Sequence, residues 1–380
     1  MIVRFAPPTD LHRQLKARVN AYLDMQDDAA IRRLMLTKTT LIFLWTLTSY
    51  VGLVFWASTW FEALLLSTSL GLAFGGVGFA VQHDANHGAY PVSRPVRRAL
   101  GFCLDIMGGS SYIWKFQHNI NHHSFTNIAG ADNDINIGLL ARLSPVQPHR
   151  GYHALQFLYI WPLYSLLAVN WLLWADWRDF FRGSIGYNQF PRPKGAAMLL
   201  FWLGKGIWLA VGVGIPALVH PIGYVVLFWL WTYLALGFTM AIVFQLAHIV
   251  EEAELPTVST DDPRVDKEFA LHQLSTTANF ATNNRLLSWY LGGLNFQVEH
   301  HLFPRVCHLH YPGIAPIVAQ TCREFDVPYC NLPTFRAALF SHARCLARMG
   351  KKPFPTASEQ RAARDEPTRS QRGRATVPPR

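Results

Sequence analysis

Four apolar segments, at roughly 39–58, 61–81, 197–218 and 222–247, each reach the length of about 20 residues that a helix needs to cross a bilayer. Hydrocarbon offers the backbone no hydrogen bonds, so spans of this length must be helical. The links 58–61 and 218–222 leave room only for tight turns, so the spans pair as two hairpins. Only 15% of the 380 residues are charged and 51% are hydrophobic, whereas a soluble domain carries about 25% charged residues. The expected fold class is therefore all-α, a polytopic membrane protein with four transmembrane helices and a cytoplasmic helical cap.

Charge sets the expected orientation. Neither short link holds a Lys or Arg, whereas the stretch before residue 39 has Arg4, Arg13, Lys16, Arg18, Arg32, Arg33 and Lys38. The region 83–197 is also basic. The positive-inside rule puts both termini and this middle region in the cytoplasm. Lys205, inside the third span, is expected to snorkel to the cytoplasmic interface. The expected organisation is a cytoplasmic leader (1–38), a membrane domain (39–350) and a disordered basic tail (351–380). That tail holds eight Lys/Arg against three Asp/Glu and supplies much of the net charge of +10. The basic residues form no face on a folded module, so nucleic acid is not an expected partner. The five cysteines show no CxxC spacing and read as free packing residues. No cleavable signal peptide is expected.

Segment 154–174 is also apolar, but it contains Pro162 and Asn170 and is rich in Trp and Tyr. It is expected to be an interfacial or partly buried helix. Segment 100–114, with Asp105 and a Gly pair, is too short to span and is expected to be re-entrant or interfacial.

Eight histidines lie at the ends of these apolar segments. Seven form three clusters: HDANH (His83, His87), HNINHH (His118, His122, His123) and QVEHH (Gln297, His300, His301). The eighth, His248, ends the last span. On a helix, His83 and His87 share a face, as do His118 and His122. His123 lies about 100° away on an α-helix and suits a second ion. The spacings, the span-end placement and the common side point to metal. A structural zinc takes four ligands and a catalytic zinc three, so eight imidazoles imply two ions. Asp84 and Glu299 inside the clusters, and Asp132, Asp134, Glu251 and Glu252 beside them, are candidate partners for the outer ring nitrogens, or plain surface acids.

HDxxH, HxxxHH and QxxHH in this order resemble the three histidine boxes of the membrane fatty acid desaturase family. The text around them is similar too: Gln117-His118-Asn119, Thr126-Asn127 and Leu302–Pro304. The resemblance covers roughly 40–345. It implies a non-haem di-iron centre with O2 as co-substrate, removing two hydrogens from a fatty acyl chain. It carries metal-ligand and catalytic roles to His83, His87, His118, His122, His123, His300 and His301, and a ligand role to His248. Gln297 stands where many acyl-CoA desaturases have His. It resembles the front-end, linoleoyl-CoA-type branch, which works between an existing double bond and the carboxyl end. Many members of that branch carry a fused cytochrome b5 with an HPGG motif. The leader here shows none, so a separate ferredoxin or cytochrome b5 is the expected electron donor, and a bacterial inner membrane is favoured over the endoplasmic reticulum.

The substrate expected from the resemblance is an acyl-CoA or acyl-lipid whose chain enters an apolar tunnel. Trp114, Phe116, Phe244, Phe280 and Trp289 are candidate walls or simple packing. Arg142, Arg150 and Arg285 are candidate headgroup contacts. Asn279 either orients a metal-bound water or caps a helix. Related di-iron hydroxylases, acetylenases, sphingolipid desaturases and carotenoid-modifying oxygenases share the same histidines. A metal transporter would place such residues at mid-membrane depth, and a zinc hydrolase would leave half of them unused.

Overall fold

The first three long helices start where a side chain satisfies amides that have no partner inside the helix. The computed structural model of the protein describes residues 3–186, 188–258 and 263–351; the expected tail beyond 351 lies outside them. Thr9 caps α1 (Asp10–Leu23) and Asp27 caps α2, which runs from Asp28 to Trp56. The first apolar helix thus begins well before residue 39, because Asp27 accepts from the amides of Ala29 and Ala30. A capping box of Thr59 and Glu62 starts α3 (Trp60–His87).

Beyond α3 the chain breaks. Short helices at Arg94–Gly101 and Cys103–Ile106 lead through Gly108 and Gly109 to α4, in which Ser111–Trp114 runs on as Lys115–His122. Then come α5 (Gly151–Arg182), α6 (Ala196–Ala217) and α7 (Ile222–His248). The cap is completed by α8 (Phe269–Thr276), α9 (Gln297–Leu302), α10 (Tyr311–Glu324) and α11 (Phe335–Met349). The protein is mostly helical, with small two-stranded pairings besides. One joins Arg4–Ala6 in parallel to Arg264–Glu268, and another joins Asn279–Phe280 to Asn331–Leu332.

Among the described residues, five helices rather than four are long and apolar enough to cross a membrane: α2, α3, α5, α6 and α7. The addition is α5. Residues on both sides of 154–174 extend the helix, and Pro162 points outward and does not stop it. Its inner face, Gln156, Ile160, Tyr164 and Ala168, repeats every fourth residue; Ile160, Tyr164 and Ala168 pack on α7, and Gln156 donates to the carbonyls of Arg142 and Leu346.

Small residues set the bundle spacing. A Cβ on Gly237 of α7 would sit 2.3 Å from the Ser165 carbonyl of α5. One on Gly71 of α3 would sit 2.5 Å from the Thr232 carbonyl of α7. Only glycine lets the backbones approach this closely. Outward-facing Leu41, Leu44, Leu199 and Trp202 remain exposed, as a lipid-facing surface requires.

Lys205 does not snorkel. Its ammonium is buried and donates to the carbonyls of Gly108 (2.6 Å) and Gly109 (3.2 Å) and to Asp176 Oδ2 (3.0 Å). The broken segment after α3 and the end of α5 supply the partners that water would have given. Segment 100–114 therefore dips to the depth of Lys205.

Leader helix α1 is docked, with Leu11, Leu15 and Val19 packed against Ile314 and Val318 of α10.

Candidate metal centre

Four pieces of chain bring the histidines together. The C-terminal end of α3 carries His83 and His87, α4 leads into His118, His122 and His123, α7 ends on His248, and α9 carries His300 and His301. All eight are buried. Two wide turns shape the first two pieces: Val77–Gln82 runs directly into His83, and Lys115–His122 contains His118 and His122 and ends against His123. Both are π-helical, with i→i+5 bonding. In such a turn a given face is revisited between the fourth and fifth residue. His122 and His123 therefore straddle the face of His118, instead of His123 pointing about 100° away as an α-helix requires.

The rings interlock. Donor atoms of His83, His87, His118 and His300 all lie within 4.8 Å of one another, as do those of His122, His248 and His301. His123 sits between the two groups, with ring centroids 4.6 Å from His300 and 4.3 Å from His301. His118 Nε2 is 3.2 Å from both His83 Nε2 and His123 Nε2. Imidazole–metal bonds of about 2.1 Å put two ligands of one ion roughly 3.0–3.4 Å apart.

One ring nitrogen on each of seven histidines is buried without a hydrogen-bond partner among the described residues: His83, His87, His122, His123, His248, His300 and His301. A buried polar atom left unpaired costs about 1–3 kcal/mol. Seven in one cluster suit cations held between them. Burial, reinforced by the neighbouring imidazoles, pushes His118, His123, His300 and His301 well below the usual range. They are neutral at pH 7, the form that binds metal. His122 differs: burial lowers it, but Asp132 and then Asp134 outweigh burial and raise it.

The outer nitrogens are held by the protein. His122 Nδ1 donates to Asp132 Oδ2 (2.9 Å) and His301 Nδ1 to Gln273 Oε1 (2.9 Å). His300 Nδ1 meets the Tyr311 hydroxyl at 3.1 Å, and Gln297 Nε2 donates to His248 Nε2 (2.9 Å). Such contacts fix tautomer and ring orientation.

A family model, that of the fatty acid desaturases, matches residues 57–333. The chain belongs to the fatty acid desaturase family. It is 38% identical over 362 residues to the sn-1 linoleoyl-lipid 6-desaturase of Synechocystis sp., covering 92% of this chain and 98% of that one. The corresponding enzyme of Arthrospira platensis is 36% identical, covering 94% and 97%. The acyl-lipid (8-3)-desaturase of Physcomitrium patens is 35% identical, covering 91% and 72%. The protein is thus an oxidoreductase, a fatty acid desaturase, and the family's di-iron chemistry is compatible with its histidine clusters.

A cavity of about 540 Å³ opens beside the histidines of this desaturase, in the range of small-molecule sites. His83, His118 and Gln297 form one wall. Phe79, Trp114, Leu163, Met240 and Phe244 make it apolar, and Asn133, Asp134 and Arg178 give it a polar margin.

Of the tunnel residues suggested by the sequence, Trp114 and Phe244 line this cavity, whereas Phe116, Phe280 and Trp289 do not. Arg142 is buried and donates to the carbonyls of Pro145, Gln147 and Met349, which makes it a scaffold residue and no headgroup contact. Asn279 lies with the capping alternative. Its Oδ1 accepts from Val298 N (2.8 Å) in the first turn of α9, and its Nδ2 donates to Glu299 Oε2 (2.7 Å). Burial pushes Glu299 up to about 7, against hydrogen bonds from Tyr329 and Asn279. Asp84 pairs with His308 Nδ1 (2.8 Å), while its nearest approach to His83 Nδ1 is 3.8 Å. Gln273, Tyr311, His308 and Arg178 escaped sequence reasoning, because their roles come only from tertiary contact.

Proposed function

We propose that this desaturase holds two iron ions between the eight histidines and introduces a double bond into the acyl chain of a membrane lipid, on the carboxyl side of an existing one. One ion belongs with His83, His87, His118 and His300, the other with His122, His248 and His301, and His123 stands between them. The observation that carries this reading is the set of seven orphaned ring nitrogens beside an apolar cavity. Bound iron would supply the O2-dependent oxidation that an unactivated methylene needs and that no acid–base side chain provides.

The chain's own residues do the positioning. Asp132, Gln273, Tyr311 and Gln297 orient the rings, and Trp114 and Phe244 hold the acyl chain against them. The cavity's apolar wall excludes water. The front-end and acyl-lipid assignments rest on Gln297 and on the names of the relatives.

Desaturation removes two hydrogens, while O2 needs four electrons to become two waters. The missing two electrons require a donor. A ferredoxin or cytochrome b5 suits the basic surface.

Parity supports four crossings. The C-terminal ends of α3 and α7 meet at one site, so the chain between them crosses an even number of times. With α6 and α7 crossing, α5 lies within or along one leaflet. The charge pattern then supports a cytoplasmic site.

The test is expression with a ferredoxin or cytochrome b5 in a host fed linoleate, followed by mass spectrometry of its lipids. A new double bond on the carboxyl side of the existing ones is expected. Hydroxylated products, or no new product from iron-loaded protein, would overturn the reading.

A further inference from the structure

Glycine 78 is buried in α3, yet a Cβ built there meets no atom within 4 Å. Its neighbours behave differently. A Cβ on Gly75 would strike the Tyr290 hydroxyl at 2.8 Å, and one on Gly76 would touch Ile42 at 3.5 Å. Those glycines serve packing; Gly78 faces an internal void. The void is the cavity beside the histidines, which Gly78 lines together with Phe79, His83 and Phe244. Gly78 is five residues before His83, in the wide turn Val77–Gln82. An i→i+5 turn puts residues five apart on nearly the same side, so Gly78 and His83 face the same space. Its φ is not positive, so the backbone admits any L residue without strain. A mid-helix glycine is less stable than alanine, so the helix gains nothing from this residue.

We infer that Gly78 is a specificity-determining residue: its missing side chain is the width of the acyl channel next to the metal centre. The inference rests on the reading of the cavity as an acyl channel. A Cβ at 78 would stand in the path of the substrate without touching the protein. Narrowing is graded, because Ala, Val and Leu extend progressively further into the same space.

The experiment makes Gly78→Ala, Gly78→Val and Gly78→Leu in the full chain. Gly206→Ala serves as control, at an exposed glycine that also has no neighbours within 4 Å. Desaturation of linoleoyl lipid, iron per chain, Tm in detergent and binding of a nitroxide-labelled stearate are measured on each. One methyl in an apolar site changes kcat/KM by about ten-fold or more. The expected result is a loss of about that size for Ala, a larger one for Val and loss of detectable turnover for Leu. Stearate binding should weaken in the same order, iron and Tm should hold in the Ala and Val variants, and the control should match the parent. Wild-type turnover and binding in Gly78→Leu would overturn the inference. So would loss of iron in all three variants, which would make Gly78 a scaffold residue. If the parent chain binds the labelled stearate and Gly78→Leu does not, but the parent desaturates nothing, the proposed function falls and the channel stands.

Discussion

His122 Nδ1 donates to Asp132 Oδ2 across 2.9 Å, and both side chains are wholly buried. The same carboxylate accepts from the backbone amides of Asn127 (2.9 Å) and Asp134 (3.0 Å), so it is pinned before it meets the ring. Asp132→Asn keeps the shape and removes the charge. Loss of such a partner costs about 10–100-fold in metal affinity or activity. Iron titration of the purified variant should show weakening of that order; unchanged affinity would separate Asp132 from the metal.

His248→Ala should lower bound iron from about two ions to about one per chain and abolish turnover, because its ring groups with His122 and His301 and not with His83. His122→Ala should do the same while membrane insertion persists. Elemental analysis of membrane-extracted protein decides both. Two irons and full activity in either variant would remove that histidine from the centre.

Lys205→Met should destabilise the fold by about 3–5 kcal/mol, the usual cost of leaving a buried charge without its partner. Asp176 would be stranded beside the Gly108 loop, only 11% exposed at its side chain. Adding Asp176→Asn should recover much of the loss. Thermal unfolding in detergent reads the cycle, and equal Tm values in the single and double variants would show that the pair is uncoupled.

Acid should destabilise the cap through two histidines outside the metal cluster. Burial lowers both His272 and His342 to about 4, against an ordinary value of about 6.5. The unfolded chain then binds more protons than the folded one. The stabilisation is full above about pH 6.5 and is lost as pH falls towards 4. His342 is held neutral: Nδ1 donates to Ile249 O (2.6 Å) and Nε2 accepts from the Tyr164 hydroxyl (2.7 Å). His342→Gln should flatten the dependence of Tm on pH between 4 and 6.5. An unchanged slope would assign the acid sensitivity elsewhere.

The histidines were legible because imidazoles at ligand spacing beside apolar runs have few other uses. Helix ends were legible less well, since Asp27 extends α2 into a stretch whose charges suggested a leader. Segment 154–174 turned out to lie in a fifth helix long and apolar enough to cross, and length and apolarity do not distinguish a crossing helix from one lying against the bundle. His123 was misplaced because nothing in HNINHH announces a π turn. Gln273 and Tyr311 were invisible for another reason: each meets its histidine only after distant elements pack, α8 against α9 and α10 against α9.

Leu166 and Trp174 belong to two surfaces at once. Both line the cavity beside the histidines, and both are surface-exposed, at 45% and 60%. With α5 in or along one leaflet, as proposed above, that wall meets hydrocarbon and an acyl chain can slide in sideways from the bilayer. For such an enzyme the effective substrate concentration is a mole fraction within the leaflet. Its saturation curve should then follow bilayer composition, and diluting the vesicles in buffer should leave the rate per molecule unchanged.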